Sequence, residues 1–154
     1  MRRLTDALYD VVLTLWVGGL WTIGYLVAPT LFAALSADRQ LAGGLAGKLF
    51  ELIGWLGLGC AAYLLLYMLL RAGMAALRRW TFWLVVLMLV LGAVSLFGVQ
   101  PLLAQLKADA LPREVMESVL RNRFATWHGV SSILYLVQSV LGLLLVLSSR
   151  RGSK

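Results

Sequence analysis

The stretch WTFWLVVLMLVLGAVSLFGVQPLLAQL, residues 80–106, decides the fold. It contains no Asp, Glu, Lys or Arg. As an α-helix rising 1.5 Å per residue it reaches about 40 Å, more than the ~30 Å hydrocarbon thickness of a bilayer. A surface helix of a water-soluble domain carries a polar face, and this run has none. Three further charge-free runs share its character, at residues 11–37, 52–70 and 129–149. The pattern predicts an all-α fold: an integral membrane four-helix bundle forming a single transmembrane domain over residues 1–154. Its spans are expected at about 8–35, 48–71, 80–105 and 126–149.

The composition agrees. Of 154 residues, 61% are hydrophobic and 14% charged, against about 25% charged in an ordinary globular domain. The net charge of +7 does not point to nucleic acid. The basic residues sit in short clusters between apolar runs, where headgroups and the insertion machinery read them. The expected contacts are therefore the phospholipid bilayer and a second copy or membrane partner protein, with no nucleic acid. The single cysteine, Cys60, excludes an intrachain disulfide and a cysteine-based metal cluster within one chain. No H-E-x-x-H, P-loop or G-x-S-x-G motif occurs, so no catalytic residue is assigned and the chain is not read as an enzyme. The residues assign no cofactor and no metal. The first span resembles a signal peptide at Ala33-Ala34-Leu35-Ser36-Ala37, but its apolar run exceeds a signal h-region, and an uncleaved helix is expected.

Orientation follows from the basic residues. With the N-terminus inside, the cytoplasmic side holds Arg2, Arg3, Arg71, Arg78, Arg79, Arg150, Arg151 and Lys154, and the outer side Arg39, Lys48, Lys107, Arg113, Arg121 and Arg123. The shortest connection, 71–79, is purely basic, and short loops weigh most in the positive-inside rule. Both termini are expected in the cytoplasm. In the longest connection, Leu111-Pro112-Arg113-Glu114 reads as a helix start, and Val115, Met116, Val119, Leu120 and Phe124 recur at helical spacing. An interfacial amphipathic helix is expected at about 112–124, leading into the fourth span. Trp80, Trp83 and Trp127 fall near span ends, as an aromatic belt would.

With that orientation, all four spans bring polar or backbone-breaking residues to one outer layer: Tyr25 and Pro29, Lys48 and Glu51, Gln100 and Pro101, Arg123, Trp127 and His128. Ionisable groups inside a membrane are costly and default to a functional reading. An outward-facing polar pocket is expected around Glu51, Gln100 and His128, with Tyr25 and Arg123 at its rim. The alternative use of the same residues is hydrogen bonding that holds the helices together. On the second span, Gly43, Gly47, Glu51, Gly54, Leu58 and Ala61 share a stripe. On the fourth, His128, Ser131, Ser132, Tyr135, Ser139 and Gly142 share another, with Gln138 at its edge. Asp10 is expected to pair with Arg3 or Arg78.

Four segments carry a resemblance: Leu15-Trp16-Val17-Gly18-Gly19-Leu20-Trp21, Ala28-Pro29-Thr30-Leu31-Phe32, Gly98-Val99-Gln100-Pro101, and Phe124-Ala125-Thr126-Trp127-His128-Gly129-Val130-Ser131. With these the chain resembles a bacterial membrane family catalogued as domain of unknown function 4149, whose eukaryotic relative is transmembrane protein 205. The resemblance implies a four-helix protein of the bacterial inner membrane. The eukaryotic relative's association with platinum-drug resistance hints at export of soft metals or their adducts. A more distant similarity, through Trp-x-Gly-Gly, is to copper-resistance D proteins and the four-helix protoporphyrinogen oxidase. There a histidine upstream of the motif serves haem; here that stretch reads Leu8-Tyr9-Asp10. Three functions stay open: a small transport or export subunit for a metal or small molecule, acting as a homo-oligomer; a non-catalytic accessory or lipid-binding protein; and a haem-linked redox protein.

Overall fold

The computed structural model describes residues 2–110 and 118–151. All its regular structure is helical, and four helices are long and apolar enough to cross a membrane: Leu4–Ala34, Arg39–Arg78, Trp80–Ala108 and Asn122–Ser149. They run antiparallel, each packed on its neighbours in sequence, and the first and fourth also touch, closing the ring. Arg2, Arg151 and the 73–79 turn lie at one end, here the terminal end. The 35–38 turn, Ala110 and Ser118 lie at the other, the distal end.

The helices are longer than the charge-free runs because caps end them, not charges. The second span starts at Asp38, whose side chain accepts a 2.9 Å hydrogen bond from the Leu41 N–H and satisfies one of the free donors of a helix start. The α-helix closes at Gly73, with φ 55° and ψ −141°, a conformation that suits glycine and strains L side chains. The fourth helix runs Ser118–Arg151. Of the expected interfacial helix, residues 118–124 are therefore the first turns of that helix, and residues 112–117 lie outside the described residues.

Two spans change pitch. The first passes from α-helix Arg2–Trp21 through a π-helical segment Thr22–Val27 into α-helix Ala28–Ala34. The third passes from Trp80–Ala93 through a π-helical Val94–Val99 into Gln100–Ala110. Each π segment ends just before a proline, Pro29 or Pro101. A proline has no N–H to donate, and its ring collides with the carbonyl four residues back. Widening the preceding turn to five-residue hydrogen bonds, Ala28 N–H to Ile23 O and Gln100 N–H to Ser95 O, keeps the chain helical through the collision.

Only 22–33% of each span's apolar window is buried. Leu52, Leu66, Leu70, Trp80, Ile133 and Leu136 are more than half exposed, an apolar surface that water would not tolerate and lipid does. The bulky core occupies the middle and the terminal half: Trp16, Leu64, Val85, Met88 and Leu145 are essentially fully buried. At that end Arg71 donates to Asp6, which also accepts a 2.5 Å hydrogen bond from the Tyr67 hydroxyl. Among the described residues, Asp6 is the carboxylate in an ion pair; the side chain of Arg3, one of the partners expected for Asp10, lies outside the described residues.

Candidate functional site

The distal half lacks that bulk. Its buried residues on the first two spans are Ala28, Ala42, Ala46 and, nearest the middle, Ile53, and the second span there reads Ala42-Gly43-Gly44-Leu45-Ala46-Gly47. Four helices held apart by a wide core in one half and lined with glycine and alanine in the other leave space between them. That space is a cavity of about 1640 Å³ with residues of all four spans in its wall. Small-molecule sites usually measure about 300–1,000 Å³, so the volume is generous. Its floor is formed by Trp16, Leu20, Met88 and Gln138. Trp16 and Met88 are 2% and 0% exposed, which closes the path toward the terminal end.

Tyr25, Glu51, Gln100 and His128 all line this cavity. Arg123, expected at the rim, is exposed at the start of the fourth span and is not part of the wall. The His128 ring stacks on Phe124, with centroids 5.9 Å apart and planes at 9°. Among the described residues, the side chains of Glu51, Gln100 and His128 make no hydrogen bond to another span.

Three bonds between spans lie deeper. The Tyr135 hydroxyl donates to Leu20 O at 2.5 Å, beside the first π segment. Phe50 meets the Tyr135 ring edge-on at 5.1 Å, and Tyr25 at 6.3 Å. Gln138 Nε2 donates to Met88 O at 2.8 Å within the buried core. It reaches there because Gly92 has no side chain: a Cβ at that glycine would stand 3.1 Å from Nε2. Trp21 Nε1 donates to Ser139 O at 3.3 Å. Bonds of this kind contribute about 0.6 kcal/mol each inside a membrane.

The structure adds Lys107, which its position past the third apolar run places in the outer connection. Its ammonium reaches into the cavity, donates to Gly43 O at 2.9 Å and lies 5.9 Å from the centroid of the Phe124 ring. It sits over the glycine stripe, 3.7 Å from where a Cβ would be at either Gly43 or Gly47. The signal was present in the sequence: Gln100, Leu103, Ala104 and Lys107 are spaced i, i+3, i+4, i+7, one face of a helix, and all four line the cavity. Among the described residues the one ion pair is Arg71–Asp6, at the opposite end, and no described carboxylate pairs with Lys107. No group of three or more His, Cys, Asp or Glu converges there as a metal site would require.

A family model described as "Domain of unknown function (DUF4149)" matches residues 11–112. The matched region includes Tyr25, Glu51, Gln100 and Lys107; Arg123 and His128 lie beyond it. No curated protein and no solved structure matches the chain.

Proposed function

The chain belongs to the DUF4149 family of domains of unknown function, and from that membership and the cavity we propose that it is a small transport or export subunit that receives a small organic molecule in its distal half. The observation that carries this reading is the cavity itself, about 1640 Å³ in a bundle whose other half is filled. A bundle that served only to pack would bring its helices together along their whole length, because close packing holds membrane helices. The uncommitted side chains of Glu51, Gln100 and His128 support the same reading, since polar groups in a membrane are otherwise spent on helix contacts. The wall offers no converging metal ligands among the described residues, which favours an organic solute over a metal ion.

The purely basic 73–79 turn supports a cytoplasmic terminal end in a bacterial inner membrane, so that the cavity faces outward. A cavity closed at its floor and open at one face is what an alternating-access protein presents in one of its two states.

Thiol labelling tests this directly. A membrane-impermeant maleimide added outside intact cells is expected to label Ser131→Cys, in the cavity wall, and to leave the native Cys60, buried in the core, unmodified. Labelling of Ser131→Cys only in inverted membranes refutes the orientation. Labelling from neither side refutes an accessible cavity.

A further inference from the structure

We infer that the molecule received in this cavity is an anionic lipid drawn from the surrounding leaflet, its phosphate held by Lys107 and its acyl chain lying along the apolar wall. The inference rests on the reading of the cavity as a ligand site and names the class of ligand.

The first observation is the state of Lys107. An ammonium carries three N–H donors. One goes to Gly43 O at 2.9 Å; no other hydrogen bond to the described residues engages it, so two remain for an occupant. A half-buried cation with no ion pair among the described residues is costly at membrane depth, and an anion in the cavity offsets that cost. Arg39, Lys48 and His128 also line the wall, against Asp38 and Glu51. The Asp38 carboxylate is already engaged with the Leu41 N–H. Glu51 lies one helical turn, about 6 Å, beyond Gly47, so a phosphate at Lys107 need not abut it.

The second observation is the wall around that cation, which is mostly apolar and aromatic, including Trp55, Leu58, Leu96 and Phe97. A free phosphate would gain nothing from it, whereas each buried methylene of a chain gains about 0.8 kcal/mol on leaving water. The third is an opening on the bilayer. At the distal end, Ala28–Ala34 packs on the second span and Gln100–Ala110 on the fourth, and among the described residues no comparable packing joins Ala28–Ala34 to the fourth. Phe32 on one side of that gap and His128 on the other are exposed cavity residues. A lipid can enter there sideways, head level with Lys107.

Native mass spectrometry of delipidated protein, titrated with phosphatidylglycerol or phosphatidylethanolamine, decides the matter. Wild type should retain phosphatidylglycerol in preference to phosphatidylethanolamine. Lys107→Gln should weaken that retention roughly tenfold, the loss of one charged hydrogen bond, and Lys107→Arg should restore it. Equal retention of the two lipids, or an unchanged Lys107→Gln variant with the circular dichroism of wild type, overturns the inference. So does displacement of phosphatidylglycerol by millimolar inorganic phosphate, which would make the free anion the ligand. If the lipid preference fails while Ser131→Cys is still labelled from outside, this inference falls and the cavity's role as a ligand site stands. If labelling fails as well, both fall.

Discussion

Gly57 and Trp16 meet at the floor of the cavity, and their contact gives the sharpest test of the packing. A Cβ built on Gly57 would lie 2.7 Å from Trp16 Nε1, 3.4 Å from Cδ1 and 3.5 Å from Cε2. The first of these is shorter than any ordinary carbon–nitrogen contact. The indole is 2% exposed and cannot swing away, so Gly57→Ala must push the first and second spans apart. Overpacking of this kind costs about 1–3 kcal/mol, while replacing glycine by alanine within a helix returns about 0.5–1 kcal/mol. The net expectation is a destabilisation of about 1–2 kcal/mol. Gly59 is the internal control: it lies two residues on in the same helix, is exposed, and has nothing within 4 Å of its would-be Cβ. Gly59→Ala should be neutral or stabilising by up to about 1 kcal/mol. Reversible unfolding by sodium dodecyl sulfate in mixed micelles, followed by circular dichroism, measures both. Trp16→Phe in the Gly57→Ala background removes the offending atom and should recover part of the loss, a coupling that only contacting residues show. If Gly57→Ala proves as stable as Gly59→Ala, the approach of the two spans at Trp16 is wrong.

The same assay reads three other substitutions. Tyr135→Phe keeps the ring and removes the hydroxyl bonded to Leu20 O; it should cost about 0.6 kcal/mol and no more than about 1.7. Gly73→Ala places a side chain at φ 55°, ψ −141° and should cost about 1–3 kcal/mol, with no change in thiol labelling at the far end. Arg71→Gln removes an ion pair to Asp6 whose side chains are nearly half exposed; it should cost about 0–1 kcal/mol, and the cost should shrink as salt is added.

The four spans were legible because charge-free runs of that length have few other uses. Their ends were less so. The charge-free run starts the second span at about 48, although the stripe from Gly43 already has helical spacing, and the helix starts at Arg39. Long basic side chains can leave a helix end for the headgroup layer, so a charge near the boundary does not stop it. Matching depths across the spans brought Tyr25, Glu51, Gln100 and His128 to one cavity wall. It failed for Arg123, because the first turns of the fourth helix rotate that side chain away from the wall. It missed Lys107 because a lysine just past an apolar run was counted as loop, and its helical spacing from Gln100 was not followed. The fourth-span stripe holding Tyr135 and Ser139 was readable as a face. Its partners were not, since Leu20 and Met88 accept through their carbonyls and a carbonyl leaves no mark in the sequence. The π segments were invisible for a similar reason: proline announces a lost hydrogen bond, not how the preceding turn accommodates it.

Those π segments connect the backbone to the hollow half. One extra residue per turn rotates everything after it by roughly 100° relative to an unbroken α-helix. In the first and third spans the rotation takes effect at the level where the bulky core ends and the cavity begins. Residues before it, Trp16, Leu20 and Met88, face the packed half and form the floor. Residues after it, Phe32, Pro101, Ala104 and Lys107, line the cavity. An unbroken third helix would turn Gln100 and Lys107 by that same angle and carry the ammonium off Gly43. Proline therefore acts here through register more than through a kink: it selects which face of each distal segment looks inward. Two prolines on spans lying across the bundle from each other do this at one depth, and the glycine stripe of the second span supplies the room into which the re-aimed side chains point. Packing in the terminal half and emptiness in the distal half are thus two consequences of one arrangement, in which bulky core residues, π turns and glycines fall in that order along the membrane normal.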